Sequence, residues 1–159
     1  MTGLAMIVLL DPKQDAAALH HLWQSAYRQE ADLLGVTDFP PLKVSREELQ
    51  TSPAQWFGVW QGGAQLLAAC AVEAQNDHHL ISAMLVAPQA QRQGHGRRLL
   101  THVCERHHAK RLRVGTAQAN RPALALYAQA GFVAVKQQQL PLQQGWLDYL
   151  VLEKAAQTM

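Results

Sequence analysis

Charge is scarce in this chain. Charged residues make up 16% of its 159 positions, and 14 Lys plus Arg against 12 Asp plus Glu leave a formal net charge of +2. An average domain carries about 25% charged residues. No block of like charge occurs, so there is no broad cationic face for a phosphate backbone, and a nucleic-acid partner is not expected. The apolar fraction of 48% is too high for a disordered polymer and sufficient for a core. Cysteine is equally sparse. Cys70 and Cys104 sit in apolar patterns as small buried residues, too few for a secreted disulfide framework, which makes a reducing cytoplasm the expected location. Long hydrophobic runs are missing as well, since Leu66–Val72 is stopped by Glu73, far short of the ~20 apolar residues of a membrane span. The run Leu4–Leu10 has no basic residue ahead of it and ends at Asp11, so it reads as a strand and not as a secretory signal. Repeats and linkers are absent, and the length fits one domain of roughly 100–200 residues.

What is present reads as alternating strands and helices. Ala17, Leu19, Leu22, Trp23, Ala26 and Tyr27 keep helical spacing within Lys13–Leu34, and Gly35 ends that helix. Asp38-Phe39-Pro40-Pro41 is expected to be irregular, because proline lacks an amide donor and pushes its predecessor toward extended geometry. Ser45 with Glu48 forms the pattern of a capping box, which predicts a short helix over Arg46–Gln50. Trp56–Gln61 and Gln65–Ala74 flank Gly62-Gly63, the signature of a hairpin with a two-residue turn. His79–Val86 follows as a third antiparallel strand. A helix over Gly96–Ala109, a strand over Arg111–Gln118, a helix over Asn120–Gly131 with Pro122 in its first turn, and strands over Phe132–Leu140 and Trp146–Leu152 complete the chain.

The most informative stretch is Met84-Leu85-Val86-Ala87-Pro88 followed by Gln91-Arg92-Gln93-Gly94-His95-Gly96-Arg97-Arg98. It runs from a strand end through a glycine loop into a helix, a geometry suited to anions. Glycines let backbone amides approach a phosphate, and the free amides and dipole of a helix N-terminus favour negative charge. Arg92, Arg97 and Arg98 add full charges. Neither a Gly-x-x-x-x-Gly-Lys-Ser/Thr loop nor the third glycine of a dinucleotide fingerprint is present. Gln91, Gly94 and Gly96 instead resemble the Gln/Arg-x-x-Gly-x-Gly/Ala signature of the GNAT superfamily of acyl-CoA-dependent N-acetyltransferases. Asn120-x-x-Ala123-x-x-Leu126-Tyr127-x-x-x-Gly131-Phe132 resembles the later helix motif of the same superfamily, in the correct order. The motif-level resemblance covers about a third of the chain, Leu80 to Val135.

The resemblance implies an α/β (α+β) fold with a mostly antiparallel sheet of six or seven strands, splayed between strands four and five, and helices on both faces. It implies acetyl-CoA as co-substrate. Met84, Leu85 and Val86 would pair with the pantetheine arm, Gln91, Arg92, Gln93, Gly94, His95, Gly96 and Arg97 would wrap the pyrophosphate, and Asn120 and Tyr127 would face the pantetheine and the thioester sulfur. Tyr127 suits a general acid because a phenol, with a reference pKa of about 10, is protonated at pH 7. An amine acceptor must lose a proton, so a base or water relay is needed. Relatives that acetylate protein N-termini carry a glutamate where this chain has Gly115, and histone-type relatives carry one where it has Leu80. Glu73 is the preferred proton acceptor, with Glu30 as the other choice. Trp23, Tyr27, Phe39, Pro40 and Pro41 are either core or the wall of an acceptor pocket, which makes Tyr27, Glu30 and Phe39 candidate substrate contacts. The expected function is acetyl transfer to a small-molecule amine. A CoA-binding regulatory module and a protein N-terminal or lysine acetyltransferase are the alternatives, and the family allows a homodimer. The adjacent pairs His20-His21, His78-His79 and His107-His108 point apart and form no His-Glu-x-x-His pattern, so no metal is expected.

Overall fold

The computed structural model describes residues 5–157. Its centre is a seven-stranded sheet of order β1-β2-β3-β4-β5-β7-β6. The strands are β1 (Ile7–Leu10), β2 (Gln55–Gln61), β3 (Gln65–Ala74), β4 (His78–Val86), β5 (Arg111–Ala117), β6 (Val133–Pro141) and β7 (Trp146–Lys154). The helices are α1 (Ala16–Leu34), α2 (Arg46–Gln50), α3 (His95–Arg106) and α4 (Arg121–Gln129). Leu4, expected to open the first strand, lies outside the described residues. Every neighbouring pair is antiparallel except β4 and β5.

The helix ends follow from local chemistry. Gly35 closes α1 in the left-handed conformation that glycine adopts without a Cβ clash. Ser45 accepts from the Glu48 amide while Glu48 reaches back to the Ser45 amide, so the expected capping box starts α2. Three expectations are corrected. The Gly62 turn is a three-residue loop, because Gln61 pairs with Gln65 and Ala64 stays outside the ladder. The proline stretch is a 3₁₀ turn over Pro40–Lys43, since a proline at the first position loses no needed donor. The third helix stops at Arg106, where its apolar period has already run out.

Two apolar layers cover the sheet. On one face Leu19 and Leu22 of α1 and Leu49 of α2 bury Trp56, Ala69, Ala71, Ala83 and Leu85. On the other, Leu99, Leu100 and Val103 of α3, with Tyr127 of α4, bury Phe57, Cys70, Val72, Ile81 and Val114. The alternation along β3, with Cys70 facing α3 and its neighbours Ala69 and Ala71 facing α1, is the period of two that a sheet covered on both sides requires.

The feature that positions the site lies between β4 and β5. They pair in parallel only from His78 with Arg111 to Ile81 with Val114. Beyond that point β4 continues through Val86 and β5 through Ala117 without meeting. A bulge opens the gap, because Ala71 pairs with Ala83 and Val72 with Ile81, which leaves Ser82 as the extra residue of β4.

Candidate active site

The splay opens into a cavity of about 530 Å³. β4 contributes Leu80 to Met84, β5 contributes Val114 to Ala117, and α4 contributes Asn120, Ala123 and Tyr127. α1 and the 3₁₀ turn supply Trp23, Tyr27, Glu30, Phe39, Pro40 and Pro41, and the β6–β7 hairpin supplies Leu140, Leu142, Leu147 and Tyr149. All three tyrosines of the chain line this one space.

Tyr127 is 4% exposed and sits edge to face with Phe132 at 5.7 Å between ring centroids. Burial, with Cys70, Tyr27 and Glu30 adding to it, pushes its phenol well above the ordinary tyrosine range. It therefore stays protonated throughout the physiological range. Among the described residues no protein group hydrogen-bonds its hydroxyl. Glu30 is the single charged residue of the lining. Burial raises its carboxyl above the usual carboxylate range, partly offset by Asn120, whose Nδ2 donates to Glu30 Oε1 at 2.9 Å. The same Asn120 caps α4, its Oδ1 accepting from the Ala123 amide at 3.2 Å. One side chain thus starts a helix and orients a carboxylate.

Glu73 is placed elsewhere. It is half-exposed on β3 opposite Leu80, and it is absent from the lining. Tyr27, Glu30 and Phe39 all line the cavity, the rings of Tyr27 and Phe39 meeting edge-on at 6.0 Å. The reading of the sequence missed the β6–β7 wall and above all Tyr149. The signal was Gly115. A Cβ built on Gly115 would lie 2.5 Å from Tyr149 Cε1 and 2.6 Å from Cζ, so the Tyr149 ring fills the space a side chain at position 115 would take.

At the mouth of the splay, the chain leaves β4 through a 3₁₀ turn over Pro88–Ala90 and enters α3. Gly94 has φ +85° and Arg92 has φ +64°, the one positive φ outside glycine among the described residues. The first-turn amides of α3, which follow this turn, have no partner inside the helix. Side chains of the loop are occupied with each other and with neighbours. Gln91 exchanges amide hydrogen bonds with Gln29 of α1, and His95 Nε2 lies 3.3 Å from Gln93 Oε1. Arg97 donates to Gln129 at 2.8 Å and Arg98 to the Ala5 carbonyl at 2.6 Å. Each guanidinium thus spends one donor on a neutral protein acceptor and keeps its positive charge beside the loop. Exposed Arg92 and Arg97 stand beside the backbone amides of the loop, with Arg98 half-buried.

Among the described residues no group of three or more His, Cys, Asp or Glu is placed to hold a metal ion. No described helix is long and apolar enough to cross a membrane.

The acetyltransferase (GNAT) family profile matches residues 16–132. The chain belongs to that family. Two relatives from Bacillus subtilis (strain 168) are similar in sequence. The UPF0157 protein YqkA is 35% identical over 67% of this chain and 31% of its own length, and the uncharacterized N-acetyltransferase YhfO is 30% identical over 74% of this chain and 83% of its own. The match thus spans under a third of YqkA. Among solved structures, the ribosomal-protein-S18-alanine N-acetyltransferase of Escherichia coli superposes with a TM-score of 0.79 at 22% identity, covering 98% of this chain and 96% of that one. The yncA structure from Salmonella typhimurium, solved with its cofactor acetyl-CoA, superposes at 0.75 with 16% identity over 99% and 96%. At such identities these two establish the fold, which is the GNAT arrangement of a sheet splayed between its fourth and fifth strands. The family profile and a homologue named N-acetyltransferase support acyltransferase activity.

Proposed function

We propose that this GNAT protein transfers an acetyl group from acetyl-CoA to the primary amine of a small molecule, by direct attack within a ternary complex. The observation that carries the reading is the continuity of three features: the unpaired end of β4, the amide loop opening α3, and a cavity holding the buried phenol of Tyr127 and the half-buried carboxylate of Glu30. The residues present fit acetyl-CoA. The free edge of Met84–Val86 offers backbone groups to an extended pantetheine arm, Asn120 stands on the opposite side of the gap, and the amides from Arg92 to Arg97 suit a pyrophosphate. The structure of yncA with acetyl-CoA, a neighbour in fold, supports the same co-substrate.

The step balances within these groups. The amine lone pair forms the bond to the acetyl carbon, charge builds on the carbonyl oxygen, and the carbon–sulfur bond breaks. The Val86 amide, on the free strand end, is the donor assigned to that oxygen. Tyr127 gives its proton to the departing sulfur. A buried phenol is a weak acid, yet a thiolate leaving into the same apolar cavity is destabilised by the same burial, so the transfer stays matched. Glu30 receives the proton the amine must lose, directly or through water. It takes the role that Glu73 was expected to fill, because Glu30 lines the cavity and Glu73 does not.

The test is CoA thiol release with acetyl-CoA and a panel of amines, for the wild type and for Tyr127→Phe. Amine-dependent release is expected, lowered roughly 100-fold or more in Tyr127→Phe, the usual contribution of a general acid. The Michaelis constant for acetyl-CoA should be little changed. Acetyl-CoA binding without release for any amine would point to the CoA-binding regulatory module instead, and an unchanged rate in Tyr127→Phe would remove the phenol from the mechanism.

A further inference from the structure

The acceptor side of the cavity is walled in a way that selects its occupant. One wall is aromatic: Trp23 and Tyr27 of α1 lie 4.8 Å apart between ring centroids, with Phe39 beyond them. The one polar atom of Trp23, its indole N–H, donates to the Pro41 carbonyl at 2.7 Å, so what the ring offers the cavity is apolar surface. The facing wall is Leu140 and Leu147, paired across the β6–β7 hairpin. The Gln143 backbone amide at the hairpin tip donates to the Asp38 carboxylate at 2.6 Å and ties the hairpin to the segment that carries Phe39. A latch of this kind suits a molecule that fits inside, and it stands in the way of a polypeptide laid across the site.

Charge narrows the choice further. Glu30 is the single ionisable carboxylate of the lining, one of its oxygens bonded to Asn120 and the other without a protein partner among the described residues. Asp38, beside Phe39, is used in the latch and does not line the cavity. A first ammonium group has a counter-ion; a second, carried deeper, would have no carboxylate to pair with. Burying an unpaired charge in such surroundings is strongly unfavourable.

Resting on the acetyltransferase reading above, we propose that the acceptor is a compact primary amine with one cationic centre on an apolar, aryl-sized body, an arylalkylamine type of substrate and not a polyamine or a protein N-terminus. The amine seats at Glu30 and its body lies between Trp23 and Phe39 on one side and Leu140 and Leu147 on the other.

The experiment compares kcat/KM from CoA thiol release for 2-phenylethylamine, spermidine and a short peptide with a free N-terminal alanine. 2-Phenylethylamine should exceed both by roughly 100-fold or more, the discrimination an apolar pocket exerts against an unpaired charge. Leu147→Asp, half-buried at the hairpin, should narrow the phenylethylamine-to-spermidine ratio by roughly tenfold or more while keeping the thermal shift with acetyl-CoA. Equal rates, or a preference for spermidine or the peptide, would overturn this substrate class and leave acetyl transfer standing. Acetyl-CoA binding with no release from any of the three or from the wider panel would overturn the transferase reading, and this inference with it.

Discussion

Glu30 is held between two demands that oppose each other. A carboxylate that takes a proton from an ammonium group must be ionised near neutral pH, yet the apolar walls around it favour its neutral form. The sign of the consequence for stability follows. Because the folded state raises the pKa of this carboxyl above its unfolded value, the native protein binds more protons in the window between the two, and stability is lost as pH rises through the folded pKa. Glu30→Gln removes the charge and keeps an oxygen to accept from Asn120. The variant is therefore expected to melt higher than the wild type at pH 8, with a gain that shrinks toward pH 5, while its rate of amine acetylation falls by about 10²–10⁴-fold. Thermal denaturation at the two pH values together with thiol release checks both halves. A variant no more stable at pH 8 than at pH 5, relative to wild type, would show that the buried charge is not strained.

At the scale of elements, the sheet owes its active site to a failure of pairing. The bulge at Ser82 and the separation of β4 from β5 after Ile81 and Val114 leave backbone groups unsatisfied that a bound chain can use. The strand and helix order that brings this about was legible in the sequence, because it rests on local signals: the Ser45–Glu48 capping box, the glycines at 35 and 94, and the N-cap at Asn120. The lining from β6 and β7 was not legible. Tyr149 reaches the cavity through β5, its partner in the sheet, and no local pattern in Trp146–Lys154 reveals which strand lies beside it. Likewise the sequence favoured Glu73 over Glu30, and only the three-dimensional arrangement separates a half-exposed strand residue from the carboxylate within reach of Asn120. The Gly115–Tyr149 contact is testable as a pair. Gly115→Ala forces the Tyr149 ring to move, an overpacking that costs about 1–3 kcal/mol and lowers the melting temperature by roughly 2–4 °C for each of them. In a Tyr149→Ala background the same substitution should be nearly neutral, since the clashing ring is gone. Additive losses in the double variant would mean that the ring does not occupy that space.

For the whole molecule, the splay leaves the two halves of the sheet, β1–β4 and β5–β7, paired through four β4–β5 residue pairs among the described residues. A ligand lodged in the gap and anchored at the α3 loop touches both halves, so its binding energy should appear as global stability. A ligand present at 100 times its dissociation constant, with no affinity for the unfolded chain, stabilises by about 2.7 kcal/mol, which for a domain of this size raises the melting temperature by roughly 5–10 °C. Acetyl-CoA and CoA should both reach that range. ADP, which carries the pyrophosphate without the pantetheine arm, can grip the loop but cannot bridge the gap, and its shift should be smaller at equal concentration. Gly94→Glu separates the two contributions. At φ +85° any side chain is strained, so the variant starts from a lower melting temperature, and its carboxylate would repel a pyrophosphate held at this loop. It should lose the shift with all three ligands while still unfolding in one cooperative transition. If ADP shifted the wild type as far as acetyl-CoA does, the pantetheine arm would contribute nothing between β4 and β5. If Gly94→Glu kept its full response, the phosphates would be held elsewhere than at the N-terminus of α3.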